Sequence, residues 1–267
     1  MNKIFYPVYL SILVIVFLIS GCGYNADNEV KTRTITDMAG EKVNVPVNVQ
    51  HVAVGAALNE MVLLCGEPNK LVATADTIKN SFYSTVYPDI LKVPSGWTGN
   101  GNGVLNMETV IGAAPQVVFA SPPTVSDQQK QILEKSGIAV VRVTMGSPQE
   151  LISAVELIGD VLGGDASKKA KEFGDYFQHN MDYVQGKTKD AEKVRVFVAR
   201  NDGSKGAVSS IGGSDIMTDY INIAGGINVV SDESQSDVGK GVPTVQVDFE
   251  YLMKKQVHFS IYLCLRL

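Results

Sequence analysis

Apolar positions along the chain follow two rhythms. Over residues 33–46 they alternate with polar ones, Ile35 on one side of Met38-Ala39-Gly40-Glu41 and Val43 and Val45 on the other, which predicts a β-hairpin. Short apolar runs at 51–55, 71–73, 116–120 and 138–143 predict buried strands, and 57–65, 106–113 and 126–135 carry apolar residues at helical spacing. Gly66 stops the first of these helices and Pro115 follows the second. Strands alternating with helices predict a mainly parallel α/β layer. Residues 93–103 (VPSGWTGNGNG) read as a loop, and 81–91 as aromatic and irregular.

The pattern then changes. Ser147-Pro148-Gln149-Glu150 is a helix start: a capping serine, proline at the first helical position and a glutamate to complete a capping box. Leu151, Val155, Ile158 and Leu162 follow on one face before Gly163-Gly164 breaks the run. With Asp165 as its cap, a second helix carrying Ala170, Phe173, Phe177, Met181 and Val184 extends to Gly186, roughly 30 Å of rigid rod. Beyond the charged stretch 187–193 the α/β pattern restarts with strands at 194–199 and 207–210, a helix at 215–224 ended by Gly225-Gly226, a strand at 227–230 and a short helix at 249–254.

Composition narrows the function. Of the 267 residues 45% are hydrophobic and the formal net charge is -5, with no basic stripe, which argues against a nucleic-acid partner. The three cysteines and three histidines are scattered, so neither a metal held by side chains nor a cofactor is expected. An anchored hydrolase, the alternative from another class, lacks both GxSxG and HExxH, and no catalytic residue stands out. A surface adhesin or sensor lobe of the same fold is a further alternative.

The N-terminus indicates the compartment. Lys3 precedes a run of mostly Val, Ile, Leu, Phe and Tyr over 8–19, too short to span a bilayer comfortably, and Ile19-Ser20-Gly21-Cys22 closes it. This resembles the lipobox of bacterial lipoproteins. It implies a signal peptide over 1–22, lipidation at Cys22, a polar tether over 23–31, and a protein held on the extracytoplasmic face of the cell membrane.

Several segments, taken in order, resemble the solute-binding proteins that serve iron-siderophore, haem and cobalamin importers. Thr36-Asp37-Met38-Ala39-Gly40 is similar to that family's T-D-x-x-G hairpin. Leu105-Asn106-Met107-Glu108 through Ala114-Pro115-Gln116-Val117-Val118 is similar to its short helix and following strand, with Gln116 where aspartate is usual. Ala224-Gly225-Gly226-Ile227-Asn228 is similar to its helix end, and 245–253 to the helix after it. The resemblance implies two Rossmann-like lobes with mainly parallel sheets joined by a long rigid helix, the class III periplasmic-binding fold. The expected organisation is an N-terminal lobe over 32–146, a helical segment over 147–188 and a partial C-terminal lobe over 189–267. It also implies capture of a metal chelate, with a ferric siderophore as the first expectation and haem, a corrinoid or a molybdate-type oxyanion as alternatives. Delivery would be to an ABC permease dimer with its ATPase. Glu108 and Glu250 match the family's permease-docking carboxylates, although each also suits a helix N-terminus on dipole grounds.

The solute is expected between the lobes, at strand ends. Trp97, the sole tryptophan, is expected as a stacking platform, with Asn100 and Asn102 offering amides from the same loop. Ser121 after a strand, Arg200 after the first strand of the second lobe, and Tyr83 complete the expected ligand-binding set; Arg200 would pair with an anionic group or, equally, with Asp202 or Asp215. The tail over 257–267 (VHFSIYLCLRL) reads as a strand unlike the family's tail, which predicts a shortened, incomplete second lobe.

Overall fold

The structure is a computed structural model that describes residues 31–55, 57–79, 82–99, 103–122, 124–200, 208–233 and 244–263, with 259–263 as backbone. The expected signal peptide, Cys22 and the tether as far as residue 30 lie outside the described residues, as do Asn100 and Asn102.

A hairpin of β1 (Thr32–Thr36) and β2 (Lys42–Pro46) precedes the first sheet. Its turn is held by Asp37, whose Oδ1 accepts the N–H groups of Ala39 (3.0 Å) and Glu41 (2.9 Å). That sheet contains β3 (Val52–Val54), β4 (Leu71–Ala75), β5 (Ser95–Thr98), β6 (Val104–Leu105), β7 (Val117–Ala120) and β8 (Ala139–Arg142), in the order β6-β5-β4-β3-β7-β8. All neighbours run parallel except β5 and β6. Between the strands lie α1 (Leu58–Leu64), α2 (Asp76–Lys79), α3 (Tyr83–Val86), α4 (Met107–Gly112) and α5 (Asp127–Lys135).

Successive side chains of a strand point to opposite faces, and here both faces are covered. Val52, Val54, Val117, Phe119 and Val141 enter one core; Ala53, Val118, Ala120 and Val140 enter the other. The near-continuous apolar runs of the sequence are therefore two interleaved sets of core residues. Gln116, where aspartate is usual, caps the start of β3: its Oε1 accepts the N–H groups of Gln50 (2.6 Å) and His51 (3.1 Å). A carboxylate would do the same work, so the substitution leaves this function intact.

Two helices connect the sheets, α6 (Pro148–Leu162) and α7 (Asp165–Thr188). Ser147 caps α6 by accepting the Glu150 N–H at 3.1 Å, but the Glu150 carboxylate reaches back to the N–H of Gly146 (2.8 Å) rather than to that of Ser147. Asp165 is the first helical residue of α7, not its cap; Gly163 and Gly164, both at positive φ, make the turn that reverses the chain. The reversal lays α7 along α6, and Val155, Ile158, Ala166 and Ala170 join the larger core of the first lobe. The strut is thus built into the first lobe along its first half.

The second sheet contains β9 (Val194–Arg200), β10 (Val208–Ile211), β11 (Gly226–Asn228), β12 (Thr244–Val247) and β13 (Phe259–Leu263), with α8 (Ile216–Ile223) and α9 (Phe249–Lys254). β9 pairs in parallel with β11 and β13, whereas β10 runs antiparallel to β9 and β12. Its faces alternate like those of the first sheet, with Val196 and Val198 on one side and Phe197 and Ala199 on the other. Asn228 is buried and joins α8 to this sheet: its amide donates to the Ile211 carbonyl (3.1 Å) and the Thr218 hydroxyl (2.8 Å), and its Oδ1 accepts the Val230 N–H (3.2 Å).

Candidate functional site

In parallel α/β sheets ligands bind beyond the carboxyl ends of strands, where loops leave the sheet. On the first lobe that edge includes Ser121 after β7 and the 143–147 segment after β8; on the second it includes Arg200, the last residue of β9. A cavity of about 190 Å³ lies between Met145 and Gly146 of the first lobe and Ser214, Asp215 and Ile216 of the second. Both walls are helix approaches. Gly146 leads into the Ser147 cap of α6, and Asp215 caps α8 by accepting the Met217 N–H at 2.9 Å. A larger cavity, about 370 Å³, opens near Leu71 at the amino end of β4 and is lined by the 68–71 and 86–93 segments alone. It lies at the wrong end of the strands and within one lobe.

The residues singled out from the sequence fare differently. Trp97 is not in a loop. It lies on β5, paired with Leu105 of β6, and none of its surface is exposed. Its Nε1–H donates to the carbonyl of Thr124 at 3.0 Å. The ring fills a hollow left by small neighbours: Ala53, Ala73, Ala75 and Ala120 belong to the same core, and a Cβ on Gly55 would stand 2.8 Å from the indole. The stacking-platform reading of Trp97 is therefore corrected: a ring already packed on all sides and hydrogen-bonded has no face to offer a solute. Its emission is expected to be blue-shifted and poorly quenched by acrylamide, which a Stern–Volmer titration measures. Quenching close to that of free indole would contradict the burial.

Ser121 is half-buried in a turn with Thr124, its N–H donating to the Thr124 hydroxyl at 3.1 Å, the same turn that receives Trp97. Tyr83, half-buried on α3, packs against the larger core, and burial, with the nearby Glu60 charge, pushes its phenol up from the ordinary value. Arg200 is half-buried at the end of β9, opposite Ser209 of β10. None of these three lines the cavity between the lobes, and of its five lining residues only Asp215 was named in advance, as a partner for Arg200 and not as a site residue. The available signal was a glycine-rich approach to a capped helix, Gly146-Ser147-Pro148 and Gly212-Gly213-Ser214-Asp215, present twice.

Glu108 and Glu250 occupy equivalent places. Each is the second residue of a short helix, after the caps Asn106 and Asp248, and each is exposed. Glu250 pairs with Lys254 across one turn of α9 at 2.8 Å. Among the described residues no group of three or more His, Cys, Asp or Glu is placed to hold a metal ion.

No curated protein matches the chain at a significant level. Solved structures match its fold. A periplasmic solute binding protein from Veillonella parvula superposes with a TM-score of 0.68 at 21% identity, over 87% of this chain and 68% of that one. The molybdate-binding protein MolA of Haemophilus influenzae gives 0.69 at 17% identity, over 86% and 73%. The vitamin B12 binding protein BtuF of Vibrio cholerae gives 0.60 at 17%, over 80% and 76%. The family model described as periplasmic binding protein matches residues 52–264, from the first strand of the first sheet to the last of the second. The family is one of binding proteins, not enzymes, and this chain belongs to it.

Proposed function

We propose that the chain captures a metal chelate between its two lobes and delivers it to the permease of an ABC importer, anchored to the outer face of the cell membrane through a lipidated Cys22. The cavity between Met145–Gly146 and Ser214–Ile216 carries this reading, because its walls come from both lobes, from the segment after β8 on one and the segment after β10 on the other. Its described lining holds one carboxylate, Asp215, and no cationic side chain. A bare dianion such as molybdate would meet like charge at Asp215, which favours a chelate, and at about 190 Å³ this cavity would hold one edge of such a solute. A ferric siderophore is the class we favour. The fold relatives extend the candidates to a corrinoid and an oxyanion, since BtuF binds vitamin B12 and MolA binds molybdate.

Glu108 and Glu250 serve as the docking carboxylates in this reading. Both are exposed on separate lobes, which lets a basic permease surface fix orientation as well as speed encounter. The Glu250–Lys254 pair is solvent-exposed and worth at most about 1 kcal/mol, so a permease arginine can replace the lysine at little cost.

The test is calorimetric titration of the full chain with ferrioxamine B, haemin, cyanocobalamin and molybdate. One probe is expected to bind at one site, and Ser214→Trp, which fills the cavity, is expected to weaken it at least a hundredfold. Unchanged affinity in the folded variant would place the solute elsewhere. Tight binding of molybdate alone would replace the chelate with an oxyanion.

A further inference from the structure

The second lobe's share of the cavity wall is carried by the start of α8, and α8 is tied to the strut in two places. At its far end the hydroxyl of Thr188, the last residue of α7, donates to the Ile223 carbonyl at 2.9 Å. Gly225 passes so close that a Cβ there would stand 2.8 Å from the Thr188 Cβ. Nearer its middle, the Tyr220 ring meets Phe177 of α7 edge-on, with centroids 6.4 Å apart and planes at 69°. Phe177 stacks on Phe173 at 5.5 Å, and Phe173 packs against the larger core of the first lobe. Three rings therefore run from the first lobe's core, along the strut, to the helix that holds Asp215 and Ile216. The bonds at the start of α8 belong to the second lobe: Asp215 accepts the Met217 N–H, and the Thr218 hydroxyl donates to the Gly212 carbonyl at 2.8 Å.

We propose that the Phe177–Tyr220 contact sets the width of the cavity, making both residues positioning residues for the solute site. A helix of this length is about 12 Å long, so a tilt of about 10° around the end held by Thr188 moves its first residues about 2 Å. That is close to the thickness of an atomic layer in a cavity this small. Thr188 fixes the pivot and does not oppose the tilt; the ring contact, further along the helix, does, together with the Asn228–Thr218 bond that holds α8 to its own sheet. Phe173 refers that contact to the first lobe, so the two walls keep a fixed spacing although they belong to different sheets. The inference rests on the cavity being the solute site, but its structural half is read without any solute.

Amide hydrogen exchange of the full chain is the test. Phe177→Ala is expected to raise exchange over 214–219 at least tenfold while leaving 148–162 and 208–211 within twofold of wild type. Tyr220→Phe, which keeps the ring, is expected to match wild type. Unchanged exchange over 214–219 in a folded Phe177→Ala protein overturns the proposal, as does an equal rise throughout 194–230, which would be general loosening. Should Phe177→Ala fail to fold, Phe177→Leu fills most of the volume without the ring and is read by the same criteria. Titration with the four probes named above separates the two claims. A tenfold weaker affinity of Phe177→Ala for the probe that wild type binds supports both. Wild-type binding to none of them, with the local rise in exchange present, overturns the cavity reading and supports the positioning.

Discussion

Gly159→Leu is expected to abolish the cooperative native state. Gly159 lies in α6 where α7 crosses it: a Cβ would stand 2.3 Å from the Cβ of Ala170 and 2.8 Å from the carbonyl oxygen of Ala166. Neither neighbour is the far end of a flexible chain, so relief requires the two helices to separate. Both belong to the largest core of the first lobe, and moving α7 disturbs the residues that surround Ile158 and Ala166. Even Gly159→Ala tests the point. Helix propensity favours alanine by about 1 kcal/mol, while overpacking costs about 1–3 kcal/mol, the upper end applying where backbone must move as here, so a net loss of about 2 kcal/mol is expected. Gly174 provides the contrast on the facing helix. A Cβ there meets the Glu156 carboxylate at 3.0 Å and Ile152 Cγ2 at 3.1 Å, and the carboxylate can swing away. Gly174→Ala is expected to stay within about 1 kcal/mol of wild type, propensity offsetting the contact. Urea unfolding of the three variants with a common slope checks the ranking; Gly159→Ala as stable as wild type would show that the helices are not in close contact.

The sequence exposed most of the first lobe because its strands are buried on both faces. Runs such as Gln116-Val117-Val118-Phe119-Ala120 have no polar side to confuse with a surface helix, and the turn residues between them are unambiguous. The helical connection was legible for a different reason: Ser147-Pro148 at the start of α6 and Gly163-Gly164 at the reversal into α7 are backbone signals that act locally. What local pattern could not convey was where a side chain goes once the sheet assembles. Trp97, set among glycine, serine and threonine, has the look of a loop residue. Its burial is decided by Ala53, Ala73 and Ala120, which lie on other strands and leave the space that the indole fills. The alternation of alanine with valine along those strands was the available clue, but it names a partner only when the strand order β5-β4-β3-β7 is known.

The candidate site was legible to a smaller extent still. A cavity between two lobes takes its walls from segments distant in sequence, here 145–146 and 214–216, and no periodicity links them. Of the residues with binding chemistry, Ser121 and Arg200 stand at strand ends as the fold requires and Tyr83 lies on α3, yet the small cavity is lined by a glycine, two apolar residues, a serine and an aspartate. Motif resemblance also led partly to architecture. Asn228 of the Gly-Gly-x-Asn segment spends its side-chain hydrogen bonds within the second lobe, on β10, on Thr218 of α8 and on its own turn, and Gly226 leaves no room for a Cβ beside Ile221 and Val196.

The hairpin motif Thr-Asp-x-x-Gly allows the same distinction to be measured, through the second large effect. Asp37→Ala is expected to cost about 3–5 kcal/mol. Its carboxylate is 5% exposed and accepts three backbone N–H groups, from Ala39, Glu41 and, through Oδ2 at 3.2 Å, Arg142 at the end of β8. Hydrogen bonds to a charged acceptor contribute about 1.5–3 kcal/mol each when intact, and a buried N–H left without a partner costs about 1–3 kcal/mol. Water entering the turn recovers part of that, which sets the range below the sum. The loss should spread beyond the turn, because the Met38 N–H donates to the Arg142 carbonyl at 3.1 Å and the Arg142 guanidinium in turn holds the Val125 carbonyl (2.7 Å) and Asp127 (2.6 Å). Asp37 is thus the point where the hairpin is pinned to the edge strand of the first sheet. Asp37→Asn keeps the oxygen that accepts from Ala39 and Glu41 but turns an amide donor toward the Arg142 N–H, so an intermediate loss of about 1–2 kcal/mol is expected. The urea midpoints of the two variants, at unchanged slope, give the answer. A shift below about 1 kcal/mol for Asp37→Ala would mean that the hairpin is held by its apolar residues Ile35, Val43 and Val45 alone, and that the aspartate is present for something other than the fold.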